Sequence, residues 1–171
     1  ALQLNFIRYM KHLTQMLFVE EYRNAINDNL SLRNTAVVEH CFVLGNGPSL
    51  KNQNIERLKK HNCFMVNRAF LDTRYRIIRP KYHVFFDKKI TDGTWPLSYF
   101  DDIQKLNPEV IFILDARWIK LPCMSHVKKN NRIIWANMSL KFTRLYKLNN
   151  YNLNSLCLGS NVVENSVLVA A

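Results

Sequence analysis

At 171 residues, 48% of them hydrophobic and 22% charged, the chain can build one domain with a substantial core, and its composition excludes a disordered polymer. Its 24 Lys and Arg against 13 Asp and Glu leave a formal charge of +11, which suits phosphorylated or otherwise anionic partners; a generally basic surface explains the charge equally well, and direct nucleic-acid binding is not expected. Cys41, Cys63, Cys123 and Cys157 are far apart, with neither a CxxC pair nor a Cys/His cluster at zinc-like spacing, so buried, reduced thiols in a cytoplasmic protein are expected. No apolar run approaches the roughly 18 residues of a membrane span, and the first residues do not read as a signal peptide.

Residues 2 to about 29 place Phe6, Met10, Leu13, Leu17 and Ile26 near one face, with Arg8, Lys11, Glu20 and Arg23 elsewhere. That spacing predicts an amphipathic helix packed on the domain or on a region upstream of it. A membrane-surface role is the second reading, diluted by Glu20, Glu21 and Asp28. The stretch NDNLSLRNT then breaks the pattern, which divides the chain into an N-terminal helix over 1–35 and a nucleotide-binding domain over 36–171.

Short apolar runs follow at 41–45, 63–66, 82–86, 110–114 and 132–136, alternating with polar helical stretches such as IERLKKH and LSYFDDIQKL. Continuous hydrophobicity marks strands buried on both faces, as in a parallel sheet covered by helices. The expected fold is therefore α/β, a Rossmann-like, mostly parallel sheet with helices on both faces. Several runs end in a polar residue: Gly45-Asn46, Asn67, Asp87, Asp115 and Asn137. Ligands of such sheets bind beyond the carboxyl ends of the strands, so these residues predict a pocket, although each taken singly also suits a helix cap. The loop KKITDGTWPLS, residues 88–98, reads as an irregular connection able to cover that pocket.

The turn after the first run, GNGPS, holds two of the chain's four glycines. Gly45 and Gly47 are expected to supply positive φ and close ligand approach, Pro48 fixes the next φ, and a helix starting after Ser49 would add its positive end for a phosphate. Asn46 brings an amide that can donate to a phosphate or sugar oxygen and accept from a hydroxyl. The motif is neither GxGxxG nor a P-loop, so the residues themselves reach only as far as a nucleotide or sugar-phosphate pocket.

FVLGNGPSL, then MVNRAF, then PKYHVFFD, with LGSNVVENSVLVAA at residues 158–171, resembles the bacterial family 42 sialyltransferases. It is similar also to the motility-associated flagellin glycosyltransferases and the 6-hydroxymethylpterin pyrophosphokinase-like proteins of the same superfamily. The likeness covers residues 41–87 and 158–171 and is only compatible with the middle. It implies transfer of a nonulosonic acid or related sugar from a CMP-activated donor to a surface glycan, without a metal or other cofactor. Gly45, Asn46, Gly47, Pro48 and Ser49 would cradle the donor phosphate and ribose, Asn67 would reach the donor between phosphate and sugar, and Ser160 and Asn161 would sit beside its anionic group. Asp87 stands where the sialyltransferases tend to carry Asn and their relatives Asp, which points away from sialic acid in particular.

The catalytic His and phosphate-binding tyrosines of the sialyltransferases lie after the last matched helix, so the chain is expected to be part of a larger domain and its catalytic base is not assigned. His12, His40, His61, His83 and His126 are scattered, and His83, inside an apolar strand, reads as a satisfied core residue. Asp101 and Asp102 read as first-turn helix acids and not as a metal-binding DxD. The alternatives are an ATP-dependent pyrophosphokinase-like enzyme with Mg²⁺ on Asp87, and a non-catalytic nucleotide-binding module. A cytoplasmic site of action at the inner face of the membrane, near anionic lipid, fits the charge and the implied substrate.

Overall fold

The computed structural model describes residues 2–29, 40–136, 140–141 and 157–158. The N-terminal stretch forms two helices, α1 (Leu2–Phe18) and α2 (Glu20–Asp28), where the sequence suggests one. Val19 between them is extended, with φ −118° and ψ 92°. The break has a local cause: Arg23 turns its guanidinium back on the carbonyls of Met16 and Leu17, closing α1, while Glu20 and Glu21 sit in the first turn of α2, where carboxylates complement the helix dipole. Tyr22 and Ile26 of α2 are fully buried in the main core, so the second half of the N-terminal stretch belongs to the domain's interior.

Five parallel strands follow: β1 (Cys41–Leu44), β2 (Asn62–Val66), β3 (Tyr82–Phe85), β4 (Ile111–Asp115) and β5 (Arg132–Ala136). Each pairs with its neighbours in sequence, giving the order β1-β2-β3-β4-β5 and a Rossmann-like α/β sheet at the positions the apolar runs predict. Helices α3 (Tyr75–Ile78), α4 (Ser98–Leu106) and α5 (Ser125–Asn130) lie in the connections. Parallel crossovers are right-handed, and a strand order that advances in one direction puts successive crossovers on one face. The described helices bear this out and lie on one face, where helices on both faces are expected from the sequence: Ile26, Tyr75, Ile78, Phe100, Ile103 and Val127 all join one buried cluster with Cys63, Met65, Phe85, Phe112 and Leu114 of the strands.

The opposite face carries Phe64, Val66, Val84, Ile113 and Ala136, all buried, with Phe64 stacked on Tyr82 at 4.5 Å between ring centroids. Burial on both faces is the reason the strands read as unbroken apolar runs. A separate two-stranded parallel pair joins β6 (Leu140–Lys141) to β7 (Cys157–Leu158), and α1 lies against β6.

Candidate functional site

Because the strands are parallel, their carboxyl ends share one edge of the sheet. The register sets Leu44 beside Met65 and Val66 beside Val84, so the turn after β1, Asn67 after β2 and Asp87 two residues after β3 stand in a row along that edge. Neighbouring strands lie about 4.8 Å apart, which places the three within reach of one ligand the size of a nucleotide. Among the described strands the order does not reverse, so no switch-point crevice forms between them, and polar strand ends alone mark the edge. Exposed Arg68, Lys88 and Lys89 follow β2 and β3 there and give it cationic character.

At the first position, Asn46, Gly47, Pro48 and Ser49 are exposed and Gly45 is half-buried. The expected positive φ is not used: Gly47 has φ −68° and ψ 156°, and of the described glycines only Gly93 has positive φ. Neither backbone strain nor crowding requires glycine there. A Cβ on Gly47 would meet nothing nearer than Ser49 Oγ at 3.9 Å, so the backbone stands open to solvent or to a ligand. The helix that follows is a single 3-10 stretch, Pro48–Asn52, whose first bond runs from Leu50 N to Gly47 O at 3.0 Å. It carries less dipole than the full α-helix expected.

What holds this short helix is Arg74, which the sequence did not single out. Its guanidinium donates to Leu50 O at 3.0 Å and Gln53 O at 2.8 Å, and is itself clamped by Asp72 at 2.6 and 2.9 Å. The hydrogen bonds from Arg74 hold the Asp72 carboxyl below its usual range. Leu50, buried, pins the same turn from the inside.

Asn67 is the second position and the least ordinary residue of the edge. It is 8% exposed, adopts φ +50°, and its Oδ1 is buried without a hydrogen-bond partner. Asn tolerates the left-handed region better than other non-glycine residues, but the orphaned oxygen costs about 1–3 kcal/mol. Its main-chain oxygen accepts from His83 Nε2 at 2.8 Å, and Tyr75 OH lies 3.1 Å from His83 Nδ1. A carbonyl only accepts, so Nε2 carries the ring proton, Nδ1 is the acceptor, and the Tyr75 hydroxyl donates.

Burial enforces that arrangement: it drives the His83 ring down to about 4, against a smaller opposing effect of the Asn67 carbonyl, and pushes the Tyr75 phenol up, so both stay neutral. Phe70, Tyr75, Phe85 and Phe112 surround the imidazole with centroids 4.8 to 6.2 Å away. The reading of His83 as a satisfied core residue holds.

The strand-end acids divide. Asp115 is buried and its carboxylate is taken up by the backbone and guanidinium of Arg117, making it a cap for the turn that follows β4. Asp87 also caps, accepting from Lys89 N at 3.1 Å, but its side chain is 32% exposed and Lys89 Nζ stands 4.0 Å away, so it keeps an accessible oxygen. Past it, the 88–98 loop folds on itself: Trp95 N donates to Lys89 O at 2.7 Å, Lys89 Nζ sits 5.3 Å over the Trp95 ring, and Asp92 binds Thr94.

Ser160, Asn161 and Asn137 lie outside the described residues. His40 and His61 precede β1 and β2 at the opposite, amino edge, and His126 lies in α5, so none of these three stands beside the turn as a base. Nor, among them, does any group of three His, Cys, Asp or Glu side chains gather to hold a metal ion. A cavity of about 710 Å³ opens elsewhere, between α2, α5 and β5, lined by residues such as Glu21, Lys128 and Trp135, and none of the candidate residues reaches it.

No family model, no curated protein and no solved structure matches the chain. No described helix is long and apolar enough to cross a membrane.

Proposed function

We propose that the chain is the donor-binding part of a glycosyltransferase of the sialyltransferase-like kind, which moves a nonulosonic acid or related sugar from a CMP-activated donor to a surface glycan. The observation that carries the reading is the row of Gly45-Asn46-Gly47, Asn67 and Asp87 along one carboxyl edge, with a backbone bare of side chains at its β1 end. Exposed amides of the turn and the Asn46 side chain suit a phosphate and a ribose hydroxyl, and Arg68, Lys88 and Lys89 suit the charge of a nucleotide.

In this reading the reaction is a direct displacement at the anomeric carbon, with CMP leaving and the acceptor oxygen losing its proton to a base. The turn and Asn67 bind the leaving nucleotide and stabilise the charge it gains. Ser160 and Asn161 add contacts to the anionic sugar, no cofactor takes part, and the acceptor glycan is met near an anionic cytoplasmic membrane face.

Isothermal titration with CMP, UDP, GDP and ATP, each with and without Mg²⁺, tests this. Metal-independent CMP binding, weakened about tenfold by Asn46→Ala, is the expected result. Preference for ATP with Mg²⁺ would move the assignment to the pyrophosphokinase-like relatives, and an unchanged CMP affinity in the variant would remove the turn from the site.

A further inference from the structure

We propose that His83 and Tyr75 are positioning residues for the site: the chain Tyr75 OH to His83 Nδ1, and His83 Nε2–H to Asn67 O, holds Asn67 in its left-handed conformation and so fixes where its side-chain amide stands at the carboxyl edge. This deepens the donor-site reading and rests on it for the part Asn67 plays with a ligand.

Asn67 is the last link between β2 and the 3-10 turn Asn67–Leu71. Turning from φ −122° at Val66 to +50° at Asn67 swings the peptide plane, and its carbonyl, the first of the 3-10 turn, also reaches the buried ring of His83 on the neighbouring strand. A buried carbonyl short of its second partner is costly, and without a donor on the strand side the αL turn would relax toward an ordinary right-handed one. His83 removes that cost. It lies on the neighbouring strand, beside Met65 in register, and donates across to the carbonyl at 2.8 Å.

The donor has to be a neutral imidazole with its proton on Nε2. Tyr75 secures that tautomer by donating to Nδ1 from the first residue of α3, and Phe70, Phe85 and Phe112 pack around the imidazole. A relay that served only the core would leave the amide of Asn67 paired like those of the buried Asn29 and Asn107, which donate to main-chain oxygens; among the described residues only Asn131, half-buried, shares an orphaned Oδ1. Here Oδ1 is buried and unpartnered in a residue more than nine-tenths buried. A protein keeps a strained residue with an unsatisfied group where surrounding structure over-determines it, and such residues cluster at ligand sites. The scaffold spends its interior hydrogen bonds on the Asn67 backbone and leaves Oδ1 without one; that oxygen is closed to solvent as it stands, so an N–H or O–H of a bound molecule would complete it once the side chain turns toward the edge.

The test uses CMP as the probe and two replacements that separate packing from hydrogen bonding. His83→Gln keeps an N–H at the place of Nε2; His83→Leu keeps the bulk and loses the donor. His83→Leu should weaken CMP binding about tenfold, and His83→Gln should stay within about twofold of the parent. In an Asn67→Gly background, where no side chain is left to position, His83→Leu should cost no further affinity. Equal loss in both backgrounds, or parent-like affinity of a folded His83→Leu protein, overturns the proposal.

If His83→Leu does not fold, Tyr75→Phe reports instead: loss of the tautomer lock should lower CMP affinity severalfold in the parent and not in Asn67→Gly, and parent-like affinity overturns the proposal. If the parent binds no CMP, the donor-site reading fails while the positioning claim is still decided without ligand. In ¹⁵N,¹³C-labelled protein a slowly exchanging His83 Nε2–H with scalar coupling to the Asn67 carbonyl carbon supports it, and a ring protonated on Nδ1 overturns it.

Discussion

The ends of β1 and β2 sit side by side on one edge, and each is unlike what its residues suggest. After β1, two glycines flank an asparagine, yet Gly47 has a φ of −68° that any residue accepts, and its neighbourhood is open. After β2, an asparagine with no glycine near it takes φ +50°, is buried, and is tied by its backbone to a histidine in the core. Conformational demand and steric openness are thus divided between two neighbours. The β1 end presents bare backbone at no conformational cost, and the β2 end presents one side chain at considerable cost, which the Tyr75–His83 pair offsets.

The largest effect that could break this contrast comes from pH. The His83 ring is held near 4 in the fold against an ordinary 6.5, so the unfolded chain takes up the proton first. Stability from the neutral ring is fully present above about pH 6.5 and is lost as pH falls toward 4, an amount of about 3 kcal/mol across that window. Urea unfolding of the parent and of His83→Gln, which keeps the hydrogen bond and cannot titrate, should give curves that diverge by that order between pH 7 and 4.5. Parallel curves would mean that His83 is not buried and neutral as drawn.

Much of the scaffold could be read before the fold was known, and the reason is physical. The inner strands β2, β3 and β4 are covered on both faces, and β1 in part, so CFMV, YHVF and IFILD, and more weakly CFVL, leave unbroken apolar signatures that periodicity detects. Polar strand ends were visible for the same reason, as points where such runs stop. Their division of labour was not, because Asp115 and Asp87 differ in their burial and in what Arg117 and Lys89 do next to them, neither of which the sequence displays. Backbone angles were hidden at Gly47, where glycine permits but does not require positive φ, and at Asn67, whose angle depends on a carbonyl partner sixteen residues away. Tyr75 and Arg74 lay in TRYRIIRP, a segment whose pattern says little until the chain folds and brings it to the turn and to His83. The break at Val19 leaves no mark in the sequence, because a single apolar stripe runs through both helices.

A pair of replacements at Asn67 sharpens the contrast at intermediate size. Asn67→Gly accepts φ +50° and removes the orphaned oxygen, so stability should stay within about 0.5 kcal/mol of the parent or rise. Asn67→Val puts a β-branched side chain in the left-handed region and should cost about 2 kcal/mol. Denaturant midpoints read both. If glycine destabilises as much as valine, then the side chain and not the backbone angle is what the fold needs at this position, and the division of roles drawn above is wrong.

The smallest expected change is the most informative for the β1 end. Gly93, at φ +81°, is the control: replacement by Ala there should cost roughly 1 kcal/mol even though open space surrounds it, because the strain is in the backbone. Gly47→Ala meets neither strain nor contact, with the nearest atom 3.9 Å from the new Cβ, so its melting midpoint should equal the parent's or gain slightly from the lower entropy of the unfolded chain, within about 0.5 kcal/mol. A glycine that stability does not require must be explained by what approaches it. A methyl group at Gly47 would stand on the exposed side of the turn, where a phosphate would rest against the amides, and so should weaken CMP binding about tenfold while leaving unfolding untouched. A stable Gly47→Ala protein that binds CMP as the parent does would show that no ligand comes down onto this backbone, and the donor site would have to be sought farther along the edge, toward Asp87 and the lysines that follow it.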